Sequence, residues 1–185
     1  DDATVSTARQ FAGVKIVQLK DVVKEKINSY KKKAIEIGVE YSTGKYIVTT
    51  DADCIIPANW LLNFAFIIEQ QPTVFIAAPV AMKEESSFIK LFQSLDFISL
   101  QGITGASVAA GFHSMCNGAN LCYSKEAFYK VNGFKDVDHI ASGDDMLLMY
   151  KLYKQFPTQV HYCKAASSIV LTSPVETVGE FFRQR

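Results

Sequence analysis

Short hydrophobic runs alternate with longer amphipathic runs along this chain. β-Branched and aromatic residues are frequent in the short runs, which predict strands at Lys15–Leu19, Tyr46–Thr50, Val74–Met82, Asn120–Tyr123, Gln159–Lys164 and Ser168–Leu171. The amphipathic runs predict helices at Ser29–Tyr41, Asn59–Gln70, Ser86–Gln101, Lys125–Val131, Asp144–Lys154 and Pro174–Arg185. This alternation predicts an α/β domain with a mostly parallel central sheet and helices on both faces, related to the Rossmann fold.

The order of the elements also predicts where a ligand binds. In sheets of this kind ligands bind beyond the carboxyl ends of the strands, so the residues that follow each strand are the first candidates. Between the fourth predicted strand and the helix before it lies Gly102–Ser114, which is rich in Gly, Ala and Ser and predicts a mobile or tightly packed connection.

Composition narrows the possible classes of function. The 185 residues fit one domain, and 49% hydrophobic residues are typical of a globular protein with a core. Lys plus Arg equals Asp plus Glu at 19 each, so the zero net charge argues against a nucleic-acid partner. The four cysteines contain no CxxC pair, which argues against a structural zinc site.

The most informative segment follows the predicted strand Tyr46–Thr50. Asp51 and Asp53 stand at positions i and i+2, at the exit of that strand. Hard divalent cations such as Mg²⁺ prefer oxygen ligands and are often held by one or two carboxylates together with substrate phosphates. A simpler interpretation is that the two aspartates end the strand and cap the helix that begins after Pro57.

A second acidic pair, Asp144 and Asp145, stands at a predicted helix start that Ser142 could cap. The helix dipole favours negative charge there, which is sufficient reason for both residues. The functional interpretation is a general base that takes a proton from an incoming hydroxyl. Lys31 and Lys32, in a basic run at another helix start, either face solvent or approach phosphates.

Taken in order, these segments resemble the family 2 glycosyltransferases of the GT-A fold over almost the whole chain. Asp51-Ala52-Asp53 resembles the DxD motif of that family, and Gly143-Asp144-Asp145 resembles its acidic Glu-Asp motif. Lys31-Lys32 with Ala34-Ile35 resembles its Gly-Lys-Lys-x-Ala-Leu segment. Other segments resemble the Asp-Asp pair after the second strand (Asp1-Asp2), the donor and acceptor pocket (Gly118–Leu121) and the opening of the Gln-x-x-Arg-Trp motif of membrane-bound members (Gln184-Arg185).

The resemblance implies an inverting transfer of a sugar from a nucleotide sugar, most often a UDP-sugar, to a hydroxyl of a saccharide or lipid-linked acceptor. It implies catalytic roles for Asp144 and Asp145, with Asp145 the better base because Asp144 replaces the usual Glu. It assigns Asp51 and Asp53 to a divalent cation, Mg²⁺ or Mn²⁺. The implied donor-binding residues are Asp1, Asp2, Lys31, Lys32, Asp51, Asp53, Gln184 and Arg185, and the implied acceptor pocket contains Gly118 and Asn120.

The same resemblance implies that residues 1–185 form a single catalytic domain truncated at both ends, since the first strand of the family would precede Asp1 and its Arg-Trp pair would follow Arg185. We therefore expect the parent protein to be membrane-associated, on the cytoplasmic side of the cell membrane. The aromatic run Phe88–Leu100 is predicted to lie in the core, or to face a membrane or a second domain, because its apolar residues cover more than one helical stripe.

Two other hypotheses fit part of the pattern. Haloacid-dehalogenase-like phosphatases also place Asp-x-Asp after a buried strand, with Asp51 as the nucleophile. Against this, Cys54 stands where those enzymes usually have Thr or Val. The second hypothesis is a non-catalytic nucleotide-sugar-binding domain on the GT-A fold. A catalytic role of Asp145 would distinguish an enzyme from such a domain.

Overall fold

The computed structural model describes residues 3–24, 27, 29–83, 86–112, 115–135 and 143–184. The helices are α1 (Thr4–Ala8), α2 (Leu19–Val22), α3 (Tyr30–Tyr41), α4 (Trp60–Gln70), α5 (Phe88–Ala109), α6 (Lys125–Lys130), α7 (Asp144–Gln155) and α8 (Val178–Gln184). The strands are β1 (Tyr46–Thr49), β2 (Phe75–Ala77), β3 (Val80–Met82), β4 (Leu121–Ser124), β5 (Val160–Tyr162) and β6 (Val170–Thr172). Most predicted elements are confirmed, but Lys15–Leu19 forms no strand, and its last residue begins α2.

The central sheet has four strands in the order β1-β4-β2-β5 and is mixed, which corrects the expectation of a mostly parallel sheet. β4 runs antiparallel to both β1 and β2, whereas β2 and β5 are parallel, so β1, β2 and β5 share one direction. The alternation of strands and helices predicts the shared direction of β1 and β2. The prediction fails for β4. β3 and α5 follow β2 and return the chain to the edge at which β2 ends, so β4 starts there and runs in the opposite direction.

A second sheet pairs β3 with β6 in parallel. The predicted strand Val74–Met82 is therefore wrong as a single element, since it divides into β2 and β3. The break falls at Ala78-Pro79, where proline has no backbone N–H to give to a ladder. Ala78 N–H still bonds the Asn120 carbonyl of the first sheet at 3.0 Å, whereas the Pro79 carbonyl accepts from Val170 N–H of the second sheet at 3.2 Å.

Helices cover both faces of the central sheet, as the sequence predicts. Phe75 and Ala77 of β2 face one cluster, and Ile76, from the same strand, faces the other because side chains alternate along a strand. The first cluster contains residues of α3, α6 and α7, namely Val39, Ala127, Phe128, Leu148, Met149 and Leu152. The second contains Trp60 and Phe64 of α4, with Cys122 and Val170.

The helix α5 is longer than predicted and continues through most of Gly102–Ser114, which we expected to be a connection between elements. The Ser87 hydroxyl caps it by accepting the Lys90 backbone N–H at 3.4 Å. Its polarity is inverted, since Gln93 and Thr104 are buried whereas Phe88 and Leu95 are 86% and 67% exposed. Among the described residues, no helix has the length and hydropathy needed to cross a membrane.

Candidate active site at the carboxyl edge of the sheet

Asp51 and Asp53 follow β1 and both line one cleft with a volume of about 310 Å³. The turn after the strand is closed by the Cys54 backbone N–H, which donates to the Asp51 carbonyl at 3.2 Å. Thr172, at the end of β6, donates its hydroxyl to Asp53 Oδ2 at 3.3 Å. The remaining lining residues are Val80, Met82, Phe97, Asn117, Ala119, Ser173, Val175 and Phe181.

Lys31 stands in the first turn of α3 and brings a positive charge to this edge. Its Nζ lies 3.4 Å from Asp51 Oδ1, and both side chains are about half exposed, at 54% and 45%. Burial alone would lower the pKa of Lys31, but the carboxylates of Asp51, Asp144 and Asp145 outweigh it and raise that pKa above its usual value. Lys31 therefore stays charged at neutral pH.

Asp145, in the first turn of α7, has both carboxylate oxygens engaged by the backbone. Its Oδ2 accepts the Gly118 N–H and its Oδ1 accepts its neighbour Met146 N–H, each at 2.8 Å. Burial raises the pKa of Asp145, and the Asp144 charge also raises it, whereas the two N–H donors and the Lys31 charge lower it, with a net increase. A raised pKa suits a general base because it strengthens the ionised carboxylate as a proton acceptor.

Gly118 lies beside both Lys31 and Asp145. A Cβ atom on Gly118 would lie 3.4 Å from Lys31 Nζ and 3.6 Å from Asp145 Oδ2. The loop is fixed from the strand side, since Thr49 Oγ1 donates to the Gly118 carbonyl at 3.1 Å. The glycine thus leaves the space between ammonium and carboxylate open while its backbone holds Asp145.

Asp144 and Lys32 lie deeper than their neighbours. Asp144 is 7% exposed and Lys32 is 3% exposed. The structure therefore brings Lys31 to Asp51, whereas Lys32 lies on the buried side of α3. The predicted cap Ser142 lies outside the described residues, and Gly143, with φ at +76°, immediately precedes α7. That left-handed backbone is one that glycine adopts readily.

Asn120 does not project into the cleft. Its side chain is completely buried, and its Nδ2 donates to the Pro79 and Ser168 carbonyls at 2.7 and 2.8 Å. Its Oδ1 accepts the Trp60 indole N–H at 2.8 Å. Asn120 therefore joins β4, α4 and the segment before β6, and Asn117 and Ala119 line the adjoining cleft.

Four predicted donor-binding residues cannot be placed. Asp1, Asp2 and Arg185 lie outside the described residues, and for Gln184 only the backbone, at the end of α8, is described. Conversely, the sequence interpretation missed Thr172 and Asn117, which line the cleft. Thr172 follows the rule for strand ends and could have been found by it, whereas Asn117 carries no motif and bonds the Ala119 N–H at 3.0 Å.

The oxygen ligands in the cleft form only part of a site for a hard cation. Asp51 and Asp53 offer carboxylate oxygens, the ligand type that Mg²⁺ and Mn²⁺ prefer. In the part of the chain that the structure describes, no group of three or more His, Cys, Asp or Glu residues converges to hold a metal. The residues therefore fit a cation that completes its shell with substrate phosphates and water, as is common for Mg²⁺.

Residues 1–132 match the sequence profile described as glycosyl transferase family 2, and the chain therefore belongs to this family. This membership speaks against the phosphatase hypothesis. No curated protein sequence matches the chain closely enough to count as a relative.

Solved structures show the same fold. The glucosyl-3-phosphoglycerate synthase from Mycobacterium tuberculosis in complex with phosphoglyceric acid superposes with a TM-score of 0.59 at 11% identity, over 97% of this chain and 60% of that one. A mycobacterial protein gives 0.58 at 13% identity, over 97% and 55%. The fold is thus that of the GT-A glycosyltransferases, and the chain spans less than two thirds of the length of either structure.

Proposed function

We propose that this chain is the catalytic domain of a longer glycosyltransferase that moves a sugar, with inversion, from a nucleotide sugar to an acceptor hydroxyl. We propose a UDP-sugar as the donor and a saccharide or lipid-linked molecule as the acceptor. The family supports glycosyl transfer in general, and the donor, the acceptor and the stereochemistry are our extension of it.

One observation carries the proposal, namely the convergence of Lys31, Asp51 and Asp145 from three different elements at one edge of the sheet. Lys31 Nζ bonds Asp51 at 3.4 Å and lies beside the Gly118 backbone that holds Asp145. Transfer from a diphosphate needs charge stabilisation at the leaving group and a base beside the attacking hydroxyl. The Lys31 ammonium next to Asp51 can supply the first, and Asp145, a separate carboxylate with a raised pKa, can supply the second.

In the proposed mechanism Asp145 Oδ takes the proton of the acceptor hydroxyl. The acceptor oxygen then forms its bond to the anomeric carbon while the bond from that carbon to the diphosphate oxygen breaks, and the diphosphate leaves with the electron pair. Attack opposite the leaving group inverts the anomeric centre. Lys31 lies where it can stabilise the negative charge that develops on the diphosphate.

Asp51 and Asp53 would hold the divalent cation, Mg²⁺ or Mn²⁺, in this proposal. When bound, such a cation supplies charge neutralisation to the leaving diphosphate. The Thr172 hydroxyl orients Asp53 through its hydrogen bond at 3.3 Å. Asp1, Asp2, Lys32, Gln184 and Arg185 remain predicted donor-binding residues, and Asp144 remains a predicted catalytic neighbour of Asp145.

A thermal-shift experiment tests the donor and cation together. We expect UDP to stabilise the protein in the presence of Mn²⁺ or Mg²⁺, because a ligand that binds only the folded state raises the free energy of unfolding. The variant Asp53→Asn is expected to lose this stabilisation, whereas the matched change Asp21→Asn on α2 should retain it. Equal stabilisation by UDP without metal would contradict the proposed role of the cation. No response to any nucleotide would contradict the proposal that the donor is a nucleotide sugar.

We further propose that the parent protein is membrane-associated, on the cytoplasmic side. The supporting observation is the outward face of α5, where Phe88, Leu91, Leu95 and Ile98 are between 52% and 86% exposed. An outward apolar face of this extent is typical of a surface that contacts a membrane or another protein, and we propose the membrane.

Vesicle pelleting tests this part of the proposal. The intact protein is expected to pellet with phosphatidylcholine–phosphatidylglycerol vesicles, and the variant Leu95→Glu is expected to weaken binding. The matched control is Leu62→Glu on α4, which is equally exposed at 67% but lies on another helix. Equal weakening by both variants, or no binding by the intact protein, would contradict an interfacial role for α5.

A further inference from the structure

Gln93 is a completely buried amide on the inward face of α5. Its Nε2 donates to the Val175 carbonyl at 2.9 Å, and its Oε1 accepts the Val175 N–H at 3.0 Å. Nε2 also lies 3.3 Å from the Ile89 carbonyl of its own helix. One side chain thus pairs both backbone groups of a residue 82 positions away, as a neighbouring strand would.

The backbone at Val175 lies between regular elements. β6 ends at Thr172 and α8 begins at Val178, so neither element pairs Val175. Pro174, immediately before it, has no N–H to donate. Because a buried backbone group without a partner is costly, the inward-facing amide of Gln93 has a specific structural reason.

The segment that Gln93 holds forms one side of the cleft, and we name residues 172–181 the wall segment. Thr172, Ser173, Val175 and Phe181 line the cleft together with Asp51 and Asp53. The Thr172 hydroxyl also bonds Asp53 directly.

Two further contacts join the wall segment to α5. Lys90 Nζ lies 2.9 Å from Glu176 Oε1, and the ring centroids of Phe92 and Phe181 are 5.8 Å apart. Within the segment, Thr177 and Glu180 form a capping box that starts α8, with hydrogen bonds of 3.0 and 3.2 Å. Gln93 is the contact at the middle of the segment, and its side chain is completely buried.

We propose that Gln93 is a positioning residue of the active site: it fixes the wall segment against α5 and thereby sets the width of the cleft at Asp51 and Asp53. This inference rests on the proposed function, because the affected quantity is the affinity for a metal-bound nucleoside diphosphate. Gln93 touches neither substrate nor cation in this arrangement and acts through Val175 and Thr172.

The near-isosteric variant Gln93→Met removes both hydrogen bonds to Val175 while it retains an unbranched side chain of similar length. Thr104→Val is the matched control because Thr104 is also buried on α5, at 3% exposure, and its hydroxyl bonds the Leu100 carbonyl of the same helix. Glu176→Gln is a second variant with little effect on folding, since the Glu176 side chain is 74% exposed.

Hydrogen exchange is the first readout and needs no ligand. We expect the Val175 amide to exchange roughly ten-fold faster in Gln93→Met, and about as in the wild type in Thr104→Val, because only the first variant removes its acceptor. Gln93→Glu retains an acceptor for the Val175 N–H, so the Val175 amide should stay protected in that variant. Unchanged exchange in Gln93→Met would overturn the proposal, and Gln93→Glu with Glu176→Gln decides it if Gln93→Met does not fold.

Titration of the same variants with UDP and Mn²⁺ is the second readout. We expect roughly five-fold weaker binding in Gln93→Met than in Thr104→Val at equal melting temperature, with partial recovery in Gln93→Glu. Faster exchange with unchanged affinity would overturn the positioning role. If the wild type binds no nucleotide, the proposed function fails and so does the positioning role for a diphosphate, whereas exchange at Val175 still shows whether Gln93 holds the wall segment.

Discussion

The cleft has two sides that are built by opposite rules. On the charged side, Lys31, Asp51 and Asp145 stand at a helix start, just after a strand and at another helix start, and the side chains of Lys31 and Asp51 are about half exposed. On the side of α5, the polar side chains Gln93 and Thr104 are buried and the large apolar ones are exposed. The difference teaches that a charged site follows from local positions in the chain, whereas its opposite wall depends on contacts between distant segments.

Loss of Asp145 should have the largest effect, because it removes the proposed base from the charged side. We expect Asp145→Asn in the intact protein to lower the transfer rate by about 100-fold or more, the usual range for a general base. The measurement is release of nucleoside diphosphate in the presence of acceptor. Asp21→Asn serves as the control for loss of a surface charge, and full activity in Asp145→Asn would contradict the assignment of Asp145 as the base.

Asn120 joins β4 to α4 and to the segment before β6, so its removal tests whether these parts form one cooperative unit. We expect Asn120→Ala to lower the free energy of unfolding by about 3 kcal/mol, because the Trp60 indole N–H and the Ser168 carbonyl lose a buried partner. Urea denaturation measures the change. Asn63→Ala, whose amide bonds near the surface, is the control and should cost under about 1 kcal/mol. A similar loss of unfolding free energy in both variants would contradict the proposal that Asn120 links these segments.

The smallest expected effect is a change in the pKa of Asp145, which sharpens the description of the charged side. The Lys31 charge lowers that pKa and the Asp144 charge raises it. Lys31→Met is therefore expected to raise the pKa of Asp145, and Asp144→Asn to lower it. A carboxyl ¹³C titration by NMR measures both, and Lys33→Met on the same helix turn is the control. Shifts in the same direction for Lys31→Met and Asp144→Asn would contradict this account.

Sequence patterns predicted the elements that carry the charged side, because the starts and ends of these elements obey local rules. Asp51 and Asp53 follow a buried strand, and the helix starts at Tyr30 and Asp144 fall where the amphipathic runs begin. The role of Asn120 was missed because its side chain points to Pro79 and Ser168, which are remote in sequence. Nothing in the local pattern distinguishes such an amide from one that faces a ligand.

The side of α5 was harder to predict for a physical reason. Its outward residues are as apolar as a core, so periodicity could not assign the buried face. The true inward face carries Gln93 and Gln101, which bond the backbones of Val175 and Val80. The split of Val74–Met82 into strands of two sheets has the same origin, since a continuous apolar run does not show where a chain changes sheets.

The central position of β4 has a consequence for how the chain is made. β4 pairs with both β1 and β2, yet the ribosome synthesises it only after α4, β3 and α5. Until β4 emerges, both earlier strands have unpaired edges, and these edges are open to pairing with other chains. Because the missing pairings join distant parts of the sequence, we expect closing of the sheet to be a slow step of folding. We therefore expect protection by chaperones to matter most while α5 is being translated.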